Sequence, residues 1–177
     1  GVPLPTSAQT HTYFFDLCRK HGITEVPRAE LGIAPTRLEA AEEAVVCALA
    51  RSNQSLTQLD CTGSLSAGVL SQLAASLCEL MQTEGNALAT VRLGGNGAWP
   101  EGSGAALVSA MGSASCVVEE LDIGGSGLGA EAAVALVRGC VSLRRLRLAA
   151  RTLPVGELRS GTSVSLAEEV PVGELNV

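Results

Sequence analysis

Short runs with apolar residues at alternate positions recur along the chain, and each is followed by a stretch with helical spacing. The pattern L-x-x-L-x-L describes these runs, which begin at Leu56, Leu88, Val118 and Leu143, with a degenerate copy from Ile23 to Arg28. Successive starts are 33, 32, 30 and 25 residues apart. Recurrence of this kind is typical of repeat architectures, in which each unit packs against its sequence neighbours.

The stretches between the runs carry apolar residues three and four positions apart, which predicts helices. Thr36-x-x-Glu39 has the form of a capping box and predicts that the first helix begins at Thr36. One face of the next stretch carries Val69, Leu73, Leu77 and Leu80. Each unit is therefore predicted to be a strand followed by a helix.

The segment from Val118 to Leu136 resembles the leucine-rich repeats of the ribonuclease-inhibitor type, L-x-x-L-x-L-x-x-N-x-L-G-x-x-G-A-x-x-L. Ser126 takes the asparagine position there, and Asn96 takes it in the matching segment from Leu88 to Leu107. The spacing of 30 to 33 residues exceeds the usual 20 to 29. The resemblance implies an α/β fold: a right-handed solenoid forming a horseshoe segment, with parallel strands on the concave face and helices on the convex face.

Three segments are expected on this interpretation. Residues 1–22 form an N-terminal helical cap, in which the aromatic cluster Tyr13-Phe14-Phe15 covers the first repeat. Residues 23–150 form the leucine-rich repeats, and residues 151–177 form a C-terminal non-helical cap or tail with short strands. Terminal units of an open stack must differ from the internal ones, since they have a neighbour on one side only.

An alternative interpretation concerns the glycines after the third complete strand. Gly125 to Ala130 satisfies G-x-G-x-x-A between a predicted strand and helix, which is the form of a dinucleotide-binding loop. Arg144, Arg145 and Arg147 follow where a 2'-phosphate would be recognised, so the alternative is an NADP-type nucleotide-binding enzyme. The repeat accounts for the same glycines as tight turns, and we expect no enzyme activity, cofactor or metal.

Composition limits the possible partners and locations. The net charge is -6, which disfavours nucleic acid, and no uninterrupted apolar stretch long enough to cross a bilayer occurs. The six cysteines have no C-x-x-C spacing and are predicted to be reduced thiols packed in the core. Without a visible secretory signal, an intracellular location is expected, cytoplasmic or cytoskeletal.

Charged residues occupy the strand positions that point away from the core. The last such position gives Pro27, Asp60, Arg92, Asp122 and Arg147, whose signs alternate from Asp60 onward. Because parallel neighbours lie about 4.8 Å apart, opposite charges in register can pair. Two further pairs are predicted on the same grounds, Glu119 with Arg144 and Glu120 with Arg145.

This charged face supports two interpretations that are compatible with each other. It is a set of exposed ion pairs that satisfy one another, or it is a docking face whose guanidinium groups bind an acidic partner. Trp99, in a glycine-rich loop, is either an exposed interface anchor or folded back over its own loop. The candidate partner-binding residues are Arg144, Arg145, Arg147, Arg151, Arg92, Asp60, Glu119, Glu120, Asp122 and Trp99.

The resemblance implies a protein-interaction or scaffold module, expected to be part of a longer protein. Similar proteins include inhibitors, GTPase-activating proteins and tropomodulin-like caps of actin filaments, so the family does not select one partner. The size and the expected cap slightly favour a cytoskeletal, tropomodulin-like role among these, with a regulatory role as the other possibility.

Overall fold

The computed structural model of the chain describes residues 30–32, 38–54, 56–100, 102–128, 130–148, 152–155, 164–165 and 174–175. The predicted helical cap at 1–22 and the degenerate copy at 23–28 lie outside the described residues. So do Thr36 and Arg151.

The described residues form a mixed α/β structure in which short strands and helices alternate. The strands are β1 (Glu30–Gly32), β2 (Gln58–Asp60), β3 (Thr90–Arg92), β4 (Glu120–Asp122), β5 (Arg145–Arg147), β6 (Thr152–Pro154), β7 (Val164–Ser165) and β8 (Glu174–Leu175). The helices are α1 (Ala40–Ser52), α2 (Ala67–Met81), α3 (Ser103–Met111) and α4 (Ala130–Gly139).

The first six strands form one sheet whose spatial order follows the chain, β1 to β6. Strands β1 to β5 are parallel, and β6 pairs with β5 in the antiparallel direction. The register places Leu59, Val91, Leu121 and Leu146 beside one another on successive strands. This register confirms the alignment of the four complete sequence repeats. Strands β7 and β8 form a separate antiparallel pair.

The predicted first strand was placed too early in the chain. The strand that pairs with β2 is Glu30–Gly32, with Leu31 opposite Leu59, so the degenerate copy at 23–28 is not that strand. Gly32, rather than Pro27, consequently lies opposite Asp60. The physical reason is visible in the sequence, since Leu31-x-Ile33 supplies two apolar alternate positions where the earlier copy has Arg28.

One hydrophobic core joins the strands to the helices. The central strand residues Leu59, Val91, Leu121 and Leu146 have no exposed surface, and they belong to the same cluster as the buried helix residues. In α2 the predicted stripe of Val69, Leu73, Leu77 and Leu80 is buried. Consecutive helices contact one another, α1 with α2, α2 with α3 and α3 with α4. Each unit therefore buries its apolar surface mainly against its sequence neighbours.

The first helix begins later than the sequence pattern predicted. Its N-cap is Glu39, in an extended conformation, and the capping box joins Glu39 to Glu42 instead of Thr36 to Glu39. The backbone N–H of Leu38 donates to the carbonyl of Ser64 at 2.8 Å, which holds this residue outside the helix. The predicted start at Thr36 was therefore wrong, because Leu38 is tied to the next unit.

A buried asparagine connects two adjacent units behind the ends of β2 and β3. Asn96 is 8% exposed, and its Nδ2 donates to the carbonyls of Cys61 at 2.9 Å and Leu93 at 2.8 Å. Its Oδ1 accepts from the N–H of Leu65 at 2.9 Å. In the following unit Ser126 occupies the equivalent position, and its hydroxyl accepts from the N–H of Leu128 at 3.3 Å.

We expect Asn96→Ala to lower the free energy of unfolding by about 2–4 kcal/mol, because it removes three hydrogen bonds to buried backbone groups. Ser126→Ala is the matched control at the equivalent position and should cost about 1 kcal/mol, since one hydrogen bond is lost. Urea unfolding followed by circular dichroism measures both. Equal costs for the two variants would show that the asparagine does not carry the connection between the units.

Candidate functional site

Charged side chains cover the face of the sheet opposite the core, from β2 to β5. The strand register puts Asp60, Arg92, Asp122 and Arg147 in one column. These are the residues predicted for that column from Asp60 onward. We call the charged residues of this face the charge ladder; it comprises Asp60, Arg92, Glu119, Glu120, Asp122, Arg144, Arg145 and Arg147.

The predicted ion pairs between β4 and β5 are present. Arg144 Nε lies 3.4 Å from a carboxylate oxygen of Glu119, and Arg145 is ion-paired with Glu120. Arg147 Nη1 lies 3.4 Å from Asp122 Oδ2. Opposite charges on neighbouring parallel strands therefore meet as the register requires.

Arg92 departs from the simple column. Its guanidinium is 3.4 Å from Asp60 Oδ2, as expected, but its second ion pair is with Glu120 at 2.9 Å and not with Asp122, its register partner. Asp122 is 7% exposed, and its Oδ1 accepts from the N–H of Gly124 at 2.9 Å. A Cβ on Gly94 would come within 2.6 Å of that oxygen, so the absence of a side chain there makes room for the carboxylate.

Glu120 is the electrostatic centre of the charge ladder, because it receives guanidinium groups from both neighbouring strands. Burial by itself would raise the pKa of the Glu120 carboxyl, but hydrogen bonds from Arg92 and Arg145 outweigh it and lower that pKa. The hydrogen bond to Glu120 also raises the pKa of Arg92. Glu120 is thus held as a carboxylate between two cations.

The acids and the arginines of the charge ladder differ in exposure. The side chains of Glu120 and Asp122 are 18% and 9% exposed, whereas those of their partners Arg145 and Arg147 are 63% and 49% exposed. Arg144 is the most exposed of the three arginines, at 74%. The pairs are balanced in charge, but solvent meets mainly guanidinium groups along β5. These groups can donate further hydrogen bonds to a carboxylate.

Trp99 does not lie at the surface. Its side chain belongs to the hydrophobic core and is 9% exposed, and its backbone N–H donates to the carbonyl of Ser126 at 2.9 Å. Among the described residues its indole Nε1 has no hydrogen-bond partner. Of the two interpretations of Trp99, the exposed interface anchor is therefore wrong for the described structure. An exposed ring would require a flexible glycine-rich loop. This loop instead packs on the next unit.

The glycine loop suspected of binding a nucleotide has the same geometry as the loops of two preceding units. Gly63, Gly95 and Gly125 each follow a strand and have positive φ angles of 64°, 74° and 75°. Each donates its N–H to a carbonyl of the next unit, at Gly94, Gly124 and Leu148 respectively. A conformation that favours glycine recurs because the same tight turn recurs.

Four N–H groups of that loop already donate within the protein. Those of Gly124, Gly125, Ser126 and Leu128 donate to Asp122 Oδ1, the Leu148 carbonyl, the Ile123 carbonyl and Ser126 Oγ, at 2.9 to 3.3 Å. A phosphate-binding loop presents such groups to the ligand instead. Gly129 lies outside the described residues, and α4 begins at Ala130.

A pair of neighbouring thiols escaped the sequence analysis. The described cysteines form no disulfide, and all but Cys78 are buried, as predicted. Ser142 bridges Cys116 and Cys140, since its Oγ donates to the Cys116 carbonyl at 3.2 Å and lies 3.4 Å from Cys140 Sγ. The neighbouring thiol lowers the pKa of Cys140 and raises that of Cys116. Their separation along the sequence nearly equals the 25-residue offset between β4 and β5. This spacing is the signal from which their proximity could have been predicted.

The described residues contain neither a metal-binding cluster nor a membrane-spanning helix. No group of three or more His, Cys, Asp or Glu side chains there is arranged to hold a metal ion. In the same part of the chain, no helix has the length and apolar character needed to cross a membrane.

No protein-family model matches the chain, and no curated protein matches its sequence.

We expect Glu120→Gln to lower the free energy of unfolding at pH 7 by about 1–3 kcal/mol, since the amide cannot compensate two guanidinium groups. The pKa of Glu120 is lowered in the folded state, so its stabilising effect is complete above the unfolded value of about 4.3. It is lost as the pH falls through the folded value. The difference in the free energy of unfolding between the variant and the original protein should therefore become smaller below about pH 4.3.

Glu119→Gln is the control for this experiment, because the Glu119 side chain is 52% exposed and has one arginine partner at 3.4 Å. Its cost should stay below about 1 kcal/mol at every pH. Urea unfolding at pH 3 to 7 measures both variants. A difference for Glu120→Gln that does not change with pH would contradict the assigned electrostatic role.

We expect millimolar NADP or NADPH to leave the melting temperature unchanged, because four of the loop N–H groups already donate within the protein. A ligand present at about 100 times its Kd would add about 2.7 kcal/mol and raise the melting temperature by several degrees. Differential scanning fluorimetry makes this measurement. Such a rise would favour the nucleotide-binding alternative.

Proposed function

We propose that this chain is a leucine-rich-repeat module, a right-handed solenoid segment that binds a partner protein through the charge ladder. The observation that carries the proposal is the in-register row of Leu59, Val91, Leu121 and Leu146 on parallel strands that follow one another in chain order. In such a stack each repeat contributes one strand to a continuous face, and that face is available for binding.

The repeated loop supports the assignment to leucine-rich repeats. A polar residue occupies the equivalent position after β2, β3 and β4, and in each case it is buried. These residues are Ser64, Asn96 and Ser126. Asn96, which stands at the asparagine position of the repeat pattern, makes three hydrogen bonds to backbone groups. A polar residue buried at the same place in each unit is retained because it satisfies backbone groups of the turn.

The charge ladder supports a binding role in preference to a purely stabilising one. Exposed ion pairs contribute only about 0–1 kcal/mol each, so stability gives little reason for three exposed arginines on and beside β5. Guanidinium groups bind carboxylates through two parallel hydrogen bonds, and they are common in protein interfaces. The partner surface is accordingly acidic.

The broader role rests on the resemblance. A scaffold in the cytoskeleton, like the tropomodulin-like caps, or a regulatory module would each use such a surface. We propose an intracellular protein of which this chain is one part. The partner is a protein and not nucleic acid, since the net charge of -6 opposes binding to a phosphate backbone. We also propose that the module is not an enzyme.

The triple variant Arg144→Gln, Arg145→Gln, Arg147→Gln tests the proposal without placing new negative charge beside Glu120 and Asp122. Partners captured from cell extract and identified by mass spectrometry are then tested as purified proteins. We expect the variant to bind the true partner at least about ten-fold more weakly, since each charged hydrogen bond contributes about 1.5–3 kcal/mol. Binding should also weaken as the salt concentration rises.

Arg51→Gln with Arg138→Gln is the matched control, because both arginines lie on helices and away from the charge ladder. This double variant should bind the partner as the original protein does. Circular dichroism verifies that both variants fold. Unchanged binding by the triple variant, or equal weakening by the helix variant, would contradict binding through the charge ladder.

A further inference from the structure

A short turn follows each of the helices α1 to α4 and leads toward the next strand. The turns span residues 53–56, 83–86, 113–116 and 140–143, and each is closed by a backbone hydrogen bond of 3.0 to 3.3 Å between its first and last residues. The second residue of each turn is exposed. In chain order these residues are Gln54, Glu84, Ala114 and Val141. The tip of the last turn is therefore a branched apolar side chain, where the earlier tips are polar or small.

A second exposed valine lies beside this tip in the neighbouring unit. Val141 is 86% exposed and Val117 is 40% exposed, and they are the large apolar side chains that the described part of the chain leaves exposed. Ser142, which follows Val141, donates through its hydroxyl to two carbonyls at 3.2 and 2.9 Å. Those carbonyls belong to Cys116 and Val118, on either side of Val117. We call Val117 and Val141, whose backbones are thus held side by side, the valine pair.

The valine pair lies next to the charge ladder. The N–H of Arg144 donates to the Glu119 carbonyl at 2.8 Å, and the two side chains form an ion pair at 3.4 Å. Val117 precedes Glu119 by two residues, and Val141 precedes Arg144 by three. Because a chain spans at most about 3.6 Å per residue, each valine lies within about 11 Å of its member of the ion pair. A partner that contacts Arg144 can therefore reach the valine pair as well.

The core gives little reason for a valine at this tip. A side chain that is 86% exposed buries almost none of its surface when the chain folds. Exposed apolar residues that occur singly are ordinary, but these two are adjacent and adjoin exposed guanidinium groups. A valine side chain also has a single torsion that branching already restricts, so covering it with a partner costs little conformational entropy.

We propose that the valine pair is an apolar contact at one end of the docking surface, and that the partner presents an acidic segment with an apolar side chain beside its carboxylates. This inference rests on the proposed function. The occupant follows from charge, because Arg144 and Arg145 next to the pair are 74% and 63% exposed and attract carboxylates. Carboxylates alone would leave the valines in water, whereas an apolar side chain removes their surface from water.

The test uses fluorescein-labelled peptides of alternating glutamate and serine. They are compared with peptides of the same charge in which leucine replaces each serine in turn. Fluorescence anisotropy at low salt measures the Kd of every peptide for the folded 177-residue chain. We expect one leucine position to tighten binding about three- to ten-fold, because each buried methylene group changes the Kd about four-fold.

The double variant Val117→Thr, Val141→Thr removes apolar surface but keeps the branched shape of both side chains. It should abolish the advantage of leucine and change the Kd of the all-serine peptide by less than about two-fold. Val141→Ile is the opposite change and should increase that advantage. The triple variant Arg144→Gln, Arg145→Gln, Arg147→Gln should weaken the binding of both kinds of peptide equally. Circular dichroism verifies that each variant folds.

The outcomes separate this inference from the proposed function. Equal binding of the serine and leucine peptides at every position, or an advantage of leucine that persists in the threonine variant, would overturn the apolar contact and leave the charge ladder as the binding surface. Peptide binding that the arginine variant does not weaken, or the failure of every peptide to bind, would contradict the proposed function itself. Self-association of the original protein in sedimentation velocity, abolished in the threonine variant, would assign the valine pair to a contact between copies and overturn the inference.

Discussion

The register of the parallel strands is the constraint on which the rest of the structure depends. Each three-residue strand from β2 to β5 directs one apolar residue into the core, and that residue has no exposed surface. A slip of one residue would turn Asp60, Arg92, Asp122 or Arg147 toward the core, and burying an unpaired charge there is far costlier than losing a leucine contact. The backbone bonds just past the strands, such as Leu93 N–H to the Asp122 carbonyl, continue the same register.

Three features that are distant in the sequence follow from this constraint. The charge ladder exists because residues of opposite charge stand in register. The glycine turns stack because every strand ends at the same level. Cys116 lies near Cys140 because the number of residues between them nearly equals the offset between β4 and β5. Each of these arrangements is a contact between neighbouring units. None requires a contact between units further apart.

Periodicity in the sequence was sufficient to predict the strand alignment from Leu59 to Leu146 and the pairs of Glu119 and Glu120, because those positions depend only on register. It failed where a local contact overrides the repeat. The first strand lies later than predicted, with Leu31 instead of Val26 opposite Leu59, and α1 starts after a residue tied to Ser64. Burial of Trp99 and the second partner of Arg92 depend on side-chain packing, which a repeat pattern does not contain.

The ion pairs also bear on how the charge ladder would bind an acidic partner. A guanidinium group has five N–H donors, so Arg145 and Arg147 can keep Glu120 and Asp122 and still offer donors outward. Because the acids beneath them are mostly covered, these arginines are already held in place and would lose less conformational freedom on binding than free side chains would. On the proposed function, pairing within the sheet would hold the same residues ready for a partner, so the two uses would be complementary.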